Sequence, residues 1–253
     1  MFLVCLMVYT NTVYGQENAP TKINLISLEA GLSNEVLLDQ TFSRLKFQGW
    51  VPCFKVGYEK KIPKSYFWKL TLRAAYGGVD YNNTLFSSDF IEARLVCSYA
   101  RAVWIKPNNI AYVGANISSN VGILDYNGFD SGSWLTAQNI AAFSRLETKI
   151  TQKHGLETTF ALTLLSAYSR PPYGGINEFI VANSDNIPAI IYSNIKLDSF
   201  NKVLCPELNL NYTYQLPKLT LFAGINYRYI RVLSVRKLYR NSTAFKVGIE
   251  IKL

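Results

Sequence analysis

The chain is poor in the residues on which most catalytic and metal chemistry depends. Its 253 residues include one histidine, four cysteines and two methionines, and only 17% of the side chains are charged. Soluble domains carry about 25% charged residues, so the deficit implies a surface that is partly out of water. Cys5, Cys53, Cys97 and Cys205 show no CxxC spacing, so they read as small buried hydrophobes, with room for one disulfide at most. No HExxH, GxSxG, glycine-rich phosphate loop or EF-hand loop occurs, no nucleic-acid-binding motif accompanies the net charge of +9, and no cofactor or metal is implied. Beyond the N-terminus no run reaches the roughly 18 apolar residues of a helical membrane span.

What the chain has instead is alternation. Phe245, Val247, Ile249, Ile251 and Leu253 take every second position, with Lys246, Gly248, Glu250 and Lys252 between them. A strand has a side-chain period of two, so this segment has one apolar and one charged face. Ten such segments are predicted, at 23–32, 51–60, 66–77, 88–100, 110–120, 135–149, 156–169, 199–214, 219–231 and 243–253. In the third, Trp68, Leu70 and Leu72 alternate with Lys69, Thr71 and Arg73. The fifth is dominated by small residues, and Phe143 falls on the polar face of the sixth.

The connections carry a second pattern. Short ones at 61–65, 101–109, 150–155 and 215–218 alternate with longer ones at 33–50, 78–87, 121–134, 170–198 and 232–242. Transmembrane barrels have short periplasmic turns, longer extracellular loops and an even strand count. On these residues the chain resembles a bacterial outer-membrane β-barrel protein. The resemblance is architectural and identifies no subfamily. It departs at Leu253, where many members end on an aromatic residue. The fold expected is all-β, a closed antiparallel transmembrane barrel of ten strands, with twelve as the alternative. The last strand should pair with the first near Leu25 to Leu32.

Residues 2 to 9 form an apolar run followed by polar Thr10, Asn11 and Thr12 and then Val13-Tyr14-Gly15. That pattern matches a secretory signal cut after Gly15, although it lacks a basic n-region. The domain reading is therefore a signal peptide at 1–15 and one barrel at 16–253, unless the start codon is misplaced or this segment is a buried strand.

With apolar faces toward lipid, the other faces meet inside. The expected lumen network is Glu29, Lys55, Glu59, Lys69, Arg73, Glu92, Arg94, Arg145, Glu147, Glu157, Glu207, Arg228, Lys246 and Glu250, seven acids and seven bases. Buried charges persist only when paired, hydrogen-bonded or hydrated. A ten-stranded barrel is little wider than the eight-stranded ones that side chains just fill. A plugged, salt-bridged interior is expected, against the alternative of a narrow polar channel. Mixed signs argue against strong ion selectivity.

The resemblance implies residence in the bacterial outer membrane. It implies contact with outer-membrane lipid and lipopolysaccharide, delivery by the barrel-assembly machinery, and a possible extracellular ligand; nucleic acid is not an expected partner. Enzymes of this class, notably proteases and lipid-directed acyl hydrolases, rely on a histidine near the outer rim. His154 lies instead in the short turn Thr151 to Gly155. Carboxylate pairs such as Asp80 with Asp89, or Asp125 with Asp130, are the remaining catalytic candidates. Acidic loops could also hold a divalent cation, without a spaced ligand motif to support it. The preferred reading is a non-enzymatic scaffold with recognition loops. The longest loop is expected to fold as an extra hairpin or to drop into the lumen as a plug, with the alternative that Tyr173, Phe179, Ile191 and Tyr192 form a binding surface.

Overall fold

The computed structural model describes residues 22–40, 45–81, 87–126, 132–171, 186–192, 194–233 and 236–253. The expected signal segment 1–15, and with it Cys5, lies outside the described residues, as do Asp130, Asp185, Tyr173 and Phe179.

The chain forms β1 (Ile23–Asp39), β2 (Lys46–Ile62), β3 (Tyr66–Asp80), β4 (Ser87–Lys106), β5 (Asn109–Tyr126), β6 (Gly132–Lys149) and β7 (His154–Ser169). A helical turn α1 (Ile187–Ile191) and two short pieces, β8 (Lys196–Ser199) and β9 (Val203–Leu204), precede β10 (Pro206–Gln215), β11 (Leu219–Val232) and β12 (Leu238–Lys252). Consecutive strands pair antiparallel from β1 to β7, β10 pairs with both β7 and β11, and β12 pairs with β11 and β1. The result is a closed ring of ten strands. Closure leaves no unpaired edge, which is the condition for a sheet to sit in hydrocarbon. The seam runs from Leu25 opposite Lys252 to Asp39 opposite Leu238, and includes Leu32 opposite Phe245.

The twelve-strand alternative is not realised among the described residues. β8 pairs with β7 and β9 with β11, both antiparallel, so these pieces continue the β10 ladder toward the loop end rather than adding a hairpin to the ring. A register shift between Ile140 and Ala141, opposite Leu165 and Thr163, turns both Leu164 and Leu165 outward.

Strands are longer than the alternation predicts. β1 continues through Ser33 to Asp39 and β12 begins at Leu238, inside segments expected to be loops. Similar extensions shorten the connections after β1, β3, β5 and β11, so among the connections at that end only the one between β7 and β8 is long. The physical reason is that the ladder needs only backbone pairing, while strict apolar alternation is required only where the outer face meets hydrocarbon.

That apolar band has visible limits. On β2 the outward side chains run Trp50, Pro52, Phe54, Val56, Tyr58, and on β3 Trp68, Leu70, Leu72, Ala74, Tyr76. Aromatic residues thus bracket a stretch of about 27 Å along each strand, somewhat less along the axis once strands tilt, which suits the roughly 25 Å apolar band of outer-membrane barrels. Tyr58 and Trp68 rings lie 5.2 Å apart at the turn end, and Trp50 and Phe245 6.2 Å apart at the other. Beyond Trp50 and Tyr76 the outer face becomes polar, with Gln48, Lys46, Gly78 and Asp80. The described cysteines are free: Cys53 is buried, Cys97 exposed and Cys205 half-buried.

Candidate functional site: a strapped lumen

Inward positions follow from the period of two. Glu29 and Glu35 on β1, Lys55 and Glu59 on β2, Lys69 and Arg73 on β3 and Glu92 and Arg94 on β4 share the inner face. Ion pairs join them across the ring at several heights.

Near the loop end, Glu92 is fully buried and accepts from three arginines: Arg73 at 2.7 Å, Arg240 at 2.8 Å and Arg228 on the directly opposite strand. Arg240 also holds Glu35 at 2.8 Å. Ser33 Oγ and Ser242 Oγ each donate to Glu35 Oε1 at 2.8 Å. Above this cluster Asp39 accepts from Ser133 Oγ at 2.6 Å and Arg170 Nη2 at 2.5 Å, again across the mouth.

At mid-height Glu29 bridges Lys55 at 2.8 Å and Lys246 at 3.0 Å, and Arg94 reaches Glu207 at 2.6 Å. Toward the turn end Arg145 gathers Glu59 at 2.9 Å, Glu147 at 2.8 Å and Glu157 at 2.6 Å, while Lys69 pairs with Glu59 and Lys61 with Glu147. Thirteen of the fourteen residues expected in the lumen therefore form ion pairs, and Glu250 alone forms none among the described residues.

Glu35, Asp39, Arg170 and Arg240 were expected in loops, yet they complete the network. The signal was available: Ser33, Glu35 and Asp39 keep the odd-numbered phase of β1, and Arg240 and Ser242 keep the even-numbered phase of β12. Adjacent apolar residues at Leu37-Leu38 and Tyr239 beside Leu238 masked the rhythm.

Hydrophobic side chains fill what the ion pairs leave. Leu37, Phe47, Val51, Val79, Phe90 and Leu124 form one cluster in the loop half, with Arg240 4.5 Å over the Phe90 ring. Leu135, Tyr168, Val203, Ile230, Val232 and Leu238 form another. Phe143, off pattern in sequence, packs edge-on to Phe67 at 6.0 Å beneath Arg145. Lumen space falls accordingly. A turn-end cavity of about 340 Å³ gives way to one of about 120 Å³ at mid-height. In the loop half the cavities shrink to about 30 and 20 Å³, the latter room for roughly one water. The mid-height cavity is mixed, with Phe67, Val96 and Phe143 beside Asn116, Asn209 and Asn211, whose side-chain oxygens meet no donor among the described residues.

The described part of the long loop lies outside the lumen. Thr136, on the outer face of β6, donates to the Ile191 carbonyl at 2.7 Å, and Tyr192 is 39% exposed. Ile195, Leu197 and Phe200 are exposed on the same side. Asp89 and Asp125 sit opposite one another in the β4–β5 ladder, facing outward. His154 is at the other end, where its ring nitrogen contacts the Tyr212 hydroxyl. The described residues contain no cluster suited to a metal ion.

No family model and no curated protein matches the sequence. Among solved structures, the outer membrane protease OmpT from Escherichia coli is similar with a TM-score of 0.67 at 6% identity, over 94% of this chain and 99% of that one. The translocator domain of the autotransporter NalP from Neisseria meningitidis aligns at 10% identity over 94% and 90%, with a TM-score of 0.48. The chain thus has the fold of bacterial outer-membrane β-barrels.

Proposed function

We propose that this protein resides in a bacterial outer membrane as a non-enzymatic scaffold, with a sealed lumen and its recognition surface outside. The observation that carries the reading is the set of cross-lumen straps: Asp39 to Ser133 and Arg170, and Glu92 to Arg228 and Arg240. A conducting path would have to part buried charges that hold one another, at a cost of several kcal/mol each.

The aromatic-bounded apolar band supports membrane residence, and the N-terminal apolar run supports export through a signal cut after Gly15. Outer-membrane lipid, lipopolysaccharide and the barrel-assembly machinery are the partners this location brings. Tyr192, Ile195, Leu197 and Phe200 supply an exposed apolar surface for an extracellular ligand, together with the remainder of the loop.

The fold is shared with a protease, but likeness at 6% identity concerns the fold alone. A non-enzymatic role is supported by the placement of His154, at the opposite end from Asp80, Asp89 and Asp125. Planar-bilayer recording of the purified protein tests the reading. The expected result is a silent membrane at all voltages. A reproducible open-channel current would overturn the sealed lumen.

A further inference from the structure

One lumen cavity lies apart from the strap system's closed half. It is a cup of about 340 Å³ at the turn end, open between the short connections and floored by Arg145 with its carboxylates. Deep in the cup the charges are matched: Lys61 holds Glu147 at 2.6 Å, and Arg145 holds Glu59, Glu147 and Glu157.

The mouth is different. Lys64, Lys149 and Lys252 all line it, and none has a carboxylate partner among the described residues. Lys106 borders it too, but its ammonium lies 5.0 Å over the ring of Trp104, which is not part of the cup. The one lining carboxylate outside any ion pair is Glu250, so the unmatched charge is positive. Thr213 and Thr220, on the inward phase of β10 and β11, line the walls between these cations. A concave site with one sign of unmatched charge and low-dielectric walls focuses its field on ligands of the opposite sign.

We propose that the cup binds a small, multiply charged oxyanion, of phosphate or carboxylate type, entering from the turn side. The lysines of the mouth meet its charges and the threonines its remaining oxygens. A soluble phosphorylated compound and a lipid phosphate share this chemistry. The site is separate from the strap network of the loop half, so it holds whether or not the barrel conducts.

The test is calorimetric titration of the folded full-length protein, in a neutral maltoside detergent, with inorganic tripolyphosphate. Three chains are compared: the wild type, a K64Q/K149Q/K252Q variant, and a K60Q/K153Q/K218Q control that removes the same charge from the same end without touching the cup. The expected result is saturable binding near one per barrel, weakened by salt, about tenfold or more weaker in the cup variant and little changed in the control. Equal losses in both variants would mean diffuse surface attraction and overturn the site, as would the absence of saturable binding by the wild type. Each variant is shown to be folded by heat-modifiable migration before titration. Repeating the wild-type titration in nanodiscs with and without anionic lipid assigns the source: loss of tripolyphosphate binding in the anionic discs identifies lipid phosphate as the occupant, and retention identifies a soluble one.

Discussion

Arg240 and Glu92 face each other inside the barrel as a two-toothed pair, Nη1 donating to Oε1 at 2.8 Å and Nη2 to Oε2 at 2.9 Å. The same arginine reaches Glu35 through Nε. One guanidinium therefore donates to two fully buried carboxylates on two strands, a geometry that the planar five-donor fork allows and an ammonium does not. Replacing it with methionine takes two hydrogen bonds from Glu92 and leaves Glu35 with Arg73, 3.7 Å away, as its remaining cation among the described residues. Arg240→Met is expected to cost about 3–5 kcal/mol in urea unfolding from lipid vesicles, and Arg240→Lys to recover only part of that loss.

The outward face makes a separate prediction. Leu72 is 54% exposed and its ladder partner Leu95 is 45% exposed, midway between the aromatic girdles. An arginine at either position should destabilise the barrel in vesicles by about 2–4 kcal/mol, the cost of a cation at mid-bilayer on a lipid-facing strand. A change within experimental error would mean that this face meets water.

The β1–β12 seam is tested by a methyl group. A Cβ at Gly31 would stand 2.3 Å from the Phe245 carbonyl oxygen and 3.1 Å from the Lys246 Cα. Backbone must move to admit it, and Gly31→Ala should cost about 1–3 kcal/mol, read as a lower unfolding midpoint and a lower temperature of heat-modified migration.

Phe90 lies under Arg240 in the loop-half cluster and is almost wholly buried. Phe90→Ala opens a cavity that rigid strands cannot close, and an expected loss of about 3–5 kcal/mol follows. Bilayer recording of this variant should still show no current, because the Glu92 and Asp39 straps remain.

Asp39→Asn probes redundancy. It removes the charge that holds Arg170 at 2.5 Å while keeping an acceptor for Ser133. The mouth should loosen, yet conductance should stay at baseline, since Arg228, Arg240 and Glu92 lie below it. Current through this variant alone would locate the seal at Asp39.

The barrel was legible in sequence because period-two alternation survives wherever one face meets an apolar phase and the other a polar one. Residues such as Lys69, Arg73, Glu92 and Arg94 stood out for that reason, and so did the pairing of the last strand with the first near Leu25 to Leu32. Legibility failed at the ends of strands. Near the loop end the inner face also takes apolar residues, Leu37 beside Leu38 and Leu238 beside Tyr239, so Glu35, Asp39 and Arg240 looked like loop residues although their backbones stay in the ladder. Their importance comes from partners on distant strands, Arg240 with Glu92 and Asp39 with Ser133, and such contacts are set by ring closure rather than by local pattern. The hydrophobic filling of the loop half was hidden similarly, since Phe90 or Leu124 on an inner face reads as a break in polarity until the opposite wall is known.

The central claim is that this closed barrel is an integral outer-membrane protein. Fractionation of cells producing the full chain, followed by detergent extraction and gels of heated and unheated samples, tests it most directly. The account predicts recovery in the outer-membrane fraction, release only by detergent, and faster migration of the unheated protein. Recovery as a monomer that needs no detergent, with identical migration before and after heating, would contradict it.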